Sequence, residues 1–302
     1  MSVNAPLDIA ILGAGAIGQL FAKALSRDHQ VTVITRKPST KAWLYEWQTE
    51  ISTQTIKNAT FATLVPSSLR FVLVCVKAYQ LPEALAQLRP YLHPAASIVI
   101  SHNGMSDLSA FSATLTPQHK LYFATTSQGA YLKGPQHVVH RGVGRTWLGA
   151  ITSAAQSRCP LVDACLTSIV DAHWHHNIAQ IRWQKLFVNI AINPLTARDQ
   201  VCNGQLRAPK YATTVIGLLN EAVHLAALEG YRCVLADALN QAYLVMQQTA
   251  ANRSSMLQDI SLGRQTEITA ICGYIVALGK KHHYPTPFNA KLLTEIEALS
   301  QV

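Results

Sequence analysis

Leu7-Asp8-Ile9-Ala10-Ile11-Leu12-Gly13-Ala14-Gly15-Ala16-Ile17-Gly18 joins a short apolar run to a glycine turn and then to a helical stretch, Ala16 to Arg27. The first glycine allows a tight turn, the second lets backbone approach a pyrophosphate, and the third lets helix pack on strand. The helix N-terminus adds free N–H groups and a partial positive charge. A glycine-rich turn without a ligand could carry the same letters. The strand–turn–helix context favours a dinucleotide site made of Gly13, Ala14, Gly15, Ala16, Ile17 and Gly18.

Working outward, Val31 to Thr35 reads as a second strand, and Phe71 to Val76, Ser97 to Ser101 and Leu121 to Thr126 as further strands. A helix is expected over Pro82 to Tyr91, and the stretch between the second strand and Phe71 reads as a polar region. Short apolar runs alternating with helices imply a parallel sheet with right-handed crossovers. Tyr131 to Leu148 reads as antiparallel strands closing this domain. An NAD site usually places Asp or Glu at the end of the second strand, for the ribose 2′-hydroxyl. Here the strand runs into Arg36 and Lys37, and a guanidinium suits a 2′-phosphate. The cofactor expected is therefore NADPH, although Arg36 read alone is also an ordinary solvated arginine.

The chain has 302 residues, 49% hydrophobic and 14% charged, enough for two apolar cores. The formal net charge is +9, with basic residues scattered along the chain. Nucleic-acid binders more often gather them into a stripe with aromatic neighbours, so scattered charge points to anionic small molecules. The six cysteines form no Cys-x-x-Cys pair, which reads as free thiols in a reducing compartment and offers no metal site. Met1 to Pro6 carries no leader signature and no run reaches ~18 apolar residues, so a cytoplasmic protein without a membrane span is expected. The sequence leaves the oligomeric state open.

The second half reads as helical throughout. Gln180 to Ile192 has helical spacing and is expected to end before Pro194. Ala212 to Glu229, Ala236 to Asn252, Ser255 to His282 and Phe288 to Leu299 follow. Lys185, Asn189 and Asn193 are spaced i, i+4, i+8 on a helix apolar almost all round. A buried lysine beside two buried amides is costly unless they meet partners or a ligand. The competing reading has Lys185 snorkelling to the surface and the asparagines bonded to backbone. Lys77 and Asn103 each follow a strand end, where open α/β sheets bind ligands, although each also reads as an ordinary loop residue. If one helix spans 255–282, Asn252, Ser255, Asp259 and Glu267 share a face with Gly263, a pattern that a solvated face would also show.

The glycine loop with Gln19-Leu20, Val76-Lys77-Ala78, His102-Asn103-Gly104-Met105, Lys185 through Ala197, Asn203 to Arg207, Ser254 to Ile260 and Thr266-Glu267-Ile268 together resemble the 2-dehydropantoate 2-reductase (ketopantoate reductase) family. The resemblance covers essentially the whole chain. It implies a Rossmann NADP-binding domain, 1–173, followed by an all-helical substrate-binding and catalytic domain, 174–302. It implies NADPH-dependent reduction of ketopantoate to pantoate, with another 2-keto acid or a non-catalytic NADPH sensor as alternatives. Carried over residue by residue, Lys185 is the proton donor and Glu267 a glutamate at the cofactor–substrate junction. Lys77, Asn103 and Ala130 lie beside the cofactor. Substrate binding falls to Asn103, Lys185, Asn189, Asn193, Asn203 and the run Asn252, Arg253, Ser254 and Ser255, with Ser255 at the carboxylate. Thr125 to Ala130 departs from the family at Gln128, where a histidine is more usual.

Overall fold

β1 (Asp8–Leu12) lies inside a sheet because Ile9, Ala10, Ile11 and Leu12 are all buried, a pattern that leaves no face for water. The computed structural model describes residues 5–37, 41–48 and 50–300, so part of the expected leaderless start, Met1 to Asn4, lies outside the described residues. The remaining strands are β2 (Gln30–Ile34), β3 (Trp43–Trp47), β4 (Glu50–Gln54), β5 (Lys57–Ala59), β6 (Leu69–Val74) and β7 (Leu92–Ile100), then β8 (Lys120–Thr126), β9 (Gly129–Gly134), β10 (His137–Gly142), β11 (Thr146–Ala150) and β12 (Ala172–Trp174). The helices in the same part of the chain are α1 (Ala16–Leu25), α2 (Leu81–Leu88), α3 (Ser109–Ser112) and α4 (Pro160–Ser168).

The main sheet has the order β12-β11-β8-β7-β6-β1-β2-β5. Pairings from β8 through β5 are parallel, and β11 runs antiparallel to β8. The chain leaves β1 towards β2 and β5, then returns to β6 on the other side of β1. That reversal is a topological switch point, and in open α/β sheets it is where ligands bind. A second sheet, order β4-β3-β10-β9, was not expected at its β3–β4 side. The stretch read as polar connection holds Trp43, Tyr45 and Trp47 at period two. Trp43 and Tyr45 are buried and bring β3 onto the core. The strands expected over 131–148 split between the two sheets: β9 and β10 join the second and β11 the first.

The chain separates into two units, Met1–His102 with Asp107–Ile178, and Asn103–Ser106 with Ala179–Val302. The first is the α/β sheet domain and the second is helical. The division expected at 173/174 falls within β12, which pairs with β11.

The helical unit is built from α5 (Ile178–Asp199), α6 (Ala212–Leu228), α7 (Leu235–Gln248), α8 (Ser255–Ser261), α9 (Tyr274–Lys281) and α10 (Pro287–Leu299), with a π-turn at Thr269–Gly273 before α9. Two helix expectations are corrected here. α5 continues through Pro194 to Asp199. Pro194 forfeits one backbone hydrogen bond, but residues 191–197 are all buried and that packing outweighs the loss. The helix expected over 255–282 is interrupted. Gly263 adopts φ +59°, Arg264 N donates to Asp259 O (2.8 Å) and Gly263 N to Ile260 O (3.0 Å), which closes α8 as a Schellman turn. Asn252, Ser255, Asp259 and Glu267 therefore do not form one helical stripe.

Pro209–Leu228 is the stretch among the described residues long and apolar enough to cross a membrane by length and composition. Its Val215, Leu218, Leu219, Ala222 and Leu225 are core residues of this unit. The same helix carries buried Glu221, whose carboxylate accepts from Phe288 N (2.8 Å), Asn289 N (3.0 Å) and Asn289 Nδ2 (2.7 Å) at the start of α10. A carboxylate there answers both the free N–H groups and the helix dipole. Glu221→Ala leaves these buried donors without an acceptor. It should cost about 3 kcal/mol and lower the melting temperature by several degrees, with Glu221→Gln losing less, as read by thermal denaturation.

Candidate functional site

In the sheet unit, the loop from Gly13 to Gly18 leaves β1 at the switch point. Cys75 N donates to Leu12 O (2.8 Å), so the end of β6 runs beside the start of the loop. Gly15 is exposed and stands at the N-cap of α1, where no side chain among the described residues makes a cap hydrogen bond. Ala14, Ala16 and Ile17 pack on the core together with Ala130 of β9. Arg36 follows β2 and is exposed. Lys77 follows β6, is half-buried, and caps a short 3₁₀ turn through Gln80. A glycine loop at a switch point, opening a helix that has no side-chain cap, fits the pyrophosphate of a dinucleotide. The residue that composition alone did not single out is Gln19. It is buried, and its Nε2 donates to Ala14 O (2.8 Å), bracing the loop from within α1.

In the helical unit, Asn103 stands between two groups of opposite charge. Its Oδ1 accepts from Lys185 Nζ (3.0 Å) and its Nδ2 donates to Glu267 Oε2 (3.1 Å). The amide is thereby oriented, with oxygen towards the ammonium and nitrogen towards the carboxylate. Glu267 is only 5% exposed. Burial pushes the Lys185 ammonium down to about 8, and the negative charge of Glu267 opposes that fall. The lysine does not snorkel free of the site: it is half-buried and its Nζ is held by Asn103. Lys185, Glu267 and Asn103 are thus brought together from separate stretches of sequence.

Asn193, one turn beyond Asn189 on α5, is buried. Asn189 Nδ2 is buried and makes no hydrogen bond among the described residues, so it is not bonded to backbone. Asn203 gathers with the 249–255 segment. Its backbone N donates to Asn252 O (3.0 Å) and its Nδ2 to Thr249 Oγ1 (2.9 Å), while its buried Oδ1 accepts from nothing among the described residues. Buried amide atoms of this kind are normally satisfied, and these two have no partner among the described residues. Ser254 differs. It is buried, accepts from Leu257 N (3.1 Å) as the N-cap of α8, and lies 2.7 Å from Thr196 Oγ1. Its hydroxyl is engaged in joining α8 to α5. Ser255, Asn252 and Arg253 are exposed, and Arg253 Nη2 donates to Ser261 Oγ (2.5 Å). Thr196, three residues after Asn193, is the anchor that sequence reading passed over; its position on the same helix face was the available signal.

A switch-point glycine loop in one unit and a Lys–Asn–Glu chain in a helical unit define the class of Rossmann-type oxidoreductases with an added helical domain. The family profile described as "Ketopantoate reductase PanE/ApbA" matches residues 9–153, and its C-terminal counterpart matches residues 177–300. The chain belongs to the ketopantoate reductase family. It is 37% identical to the 2-dehydropantoate 2-reductase of Vibrio cholerae, covering 98% of each chain, and 31% identical to that of Bacillus subtilis, covering 89% and 90%. Among solved structures, a probable 2-dehydropantoate 2-reductase from Bacillus subtilis superposes with TM-score 0.81 at 28% identity, covering 97% of this chain and 99% of that one. A D-mandelate dehydrogenase ternary complex with NADH reaches TM-score 0.89 at 23% identity over 97% and 98%, a likeness of fold.

Glu267→Gln removes the charge that holds the Lys185 pKa up. The titration midpoint of Lys185 should therefore drop further below about 8, as followed by NMR of the labelled lysine side chain; an unmoved midpoint would show that Glu267 does not act on it.

Proposed function

We propose that this chain catalyses the NADPH-dependent reduction of 2-dehydropantoate to pantoate. The observation that carries the reading is the chain Lys185–Asn103–Glu267, an ammonium held in a buried setting with a pKa near the working range of a general acid. NADPH supplies a hydride for the substrate's keto carbon when bound. Gly13 to Gly18 would hold its pyrophosphate, Arg36 its 2′-phosphate, and Lys77, Asn103, Ala130 and Glu267 its remaining contacts. As negative charge grows on the keto oxygen, Lys185 stabilises it and gives up a proton from Nζ. Asn103 holds the ammonium through its Oδ1 and is itself held by Glu267.

Asn189, Asn193, Asn203, Asn252, Arg253 and Ser255 would align the substrate, converting an encounter into a defined geometry. Support comes from the buried Asn189 Nδ2 and Asn203 Oδ1, which have no hydrogen-bond partner among the described residues. Ser254 enters this set as the cap that places Ser255. In the same proposal the sheet domain serves the cofactor, the helical domain serves substrate and catalysis, and the protein works in the cytoplasm, which its six free cysteines support.

The test is NADPH oxidation followed by absorbance, with ketopantoate and with simpler 2-keto acids as substrates; equal turnover of all of them would overturn the choice of substrate. Lys185→Ala should cost about 10²–10⁴-fold in kcat/KM, mostly in kcat, with NADPH affinity and melting temperature retained. The proton donor must be charged, so kcat/KM for reduction should fall as pH rises through about 8. Arg36→Ala should raise the KM for NADPH about 10- to 100-fold and leave that for NADH nearly unchanged, since only the 2′-phosphate loses a partner.

A further inference from the structure

Asn103 can bridge Lys185 and Glu267 only if the backbone on either side of it is fixed, and Asn103–Ser106 has no helix or strand of its own. This short strap is grouped with Ala179–Val302 although the residues before and after it belong to the sheet unit. One carbonyl anchors it. Met105 N donates to Ala270 O (2.7 Å), and Met105 is buried. Ala270 lies in the π-turn Thr269–Gly273, three residues after Glu267, and Ala270 N donates back to Glu267 O (3.0 Å). The strap and the carboxylate that Asn103 meets are therefore tied to the same residue. A π-turn widens the helix locally and is often found where a functional side chain must be placed.

The fit at this point leaves no room. Gly104 has φ +74°, a conformation that L side chains rarely adopt. A Cβ at Gly104 would stand 2.4 Å from Ala270 O and 2.8 Å from Ala270 C, both backbone atoms that cannot rotate away. Any side chain there must lift the strap from the π-turn and carry Asn103 with it.

We propose that Gly104 and the π-turn carbonyl of Ala270 are positioning elements of the proton-donor site, setting Asn103 between Lys185 and Glu267. The proposal rests on the reading of Lys185 as proton donor and adds how that donor's protonation is maintained. The charged group acting on Lys185 is Glu267, and Asn103 supplies a neutral oxygen. Arg182, one turn earlier on α5, is a second cation of that helix whose pKa burial depresses, held in part by Tyr231 and Tyr274. Lifting the strap takes the Asn103 oxygen, which accepts from the charged form, away from Lys185, so its pKa falls.

The experiment is pH-dependent labelling of Lys185 in the full chain with an amine-selective acylating reagent, quantified by peptide mass spectrometry, for wild type and Gly104→Ala. The Lys185 midpoint should fall by about one unit in Gly104→Ala, and the alkaline limb of kcat/KM should move with it. An unchanged midpoint overturns the proposal whatever happens to activity. A midpoint that falls while the limb of kcat/KM stays in place supports the positioning role and overturns Lys185 as the donor. Should Gly104→Ala fail to fold, amide exchange in the wild type decides. Met105 N–H should exchange as slowly as the buried amides of α5, and exchange at the rate of an exposed loop overturns the anchoring.

Discussion

An ammonium placed among apolar side chains must be compensated, and the helical unit is organised around that requirement. Lys185 is half-buried, and the desolvation of its ammonium lowers its pKa to about 8. The compensation is an amide oxygen at 3.0 Å and, through the same amide, a buried carboxylate. Neither partner comes from α5. Asn103 arrives on a strap between two strands of the sheet unit's chain, and Glu267 precedes a π-turn. The amide links the two charged groups, its oxygen to the ammonium and its nitrogen to the carboxylate.

The rest of the helical unit keeps those pieces in register. α5 runs unbroken through Pro194 because burial on all sides outweighs the lost hydrogen bond. Thr196, just beyond, meets the Ser254 hydroxyl and fixes the start of α8. Asn203 ties the 249–252 backbone to the same region. Glu221 does comparable work at the start of α10, where a buried carboxylate satisfies three donors. Several polar groups inside this unit are thus matched in pairs and triplets, while Asn189 Nδ2, Asn203 Oδ1 and Asn289 Oδ1 are buried with no hydrogen-bond partner among the described residues.

The sheet unit solves a different problem. Its parallel core is buried on both faces, so a ligand must be met by backbone at the strand ends. Gly13 to Gly18 provides that surface, and the bracing of Ala14 O by Gln19 keeps it in shape before any cofactor arrives.

What could be read from the amino acids alone was whatever depends on neighbours in the chain. The strand–glycine–helix passage at 7–18, the short apolar strand runs, and the Lys185, Asn189, Asn193 stripe are all local patterns, and local geometry dictates them. The aromatic alternation at Trp43, Tyr45 and Trp47 was equally local and could have revealed β3. Tertiary structure decided what depends on contacts distant in sequence. Asn103 and Glu267 are 164 residues apart, and Asn103 and Lys185 are 82 apart. No spacing rule joins them; their resemblance to a family named them, but only the packing of the strap on the π-turn puts them in one hydrogen-bonded chain. Ser254, expected at the substrate, has a hydroxyl that caps α8 and meets Thr196 from another helix, a contact that no local pattern reports. Pro194 and Gly263 show the same division. Proline's preference to end a helix yielded to burial that no local pattern reports, whereas glycine's left-handed turn did end one, since nothing packed there to oppose it.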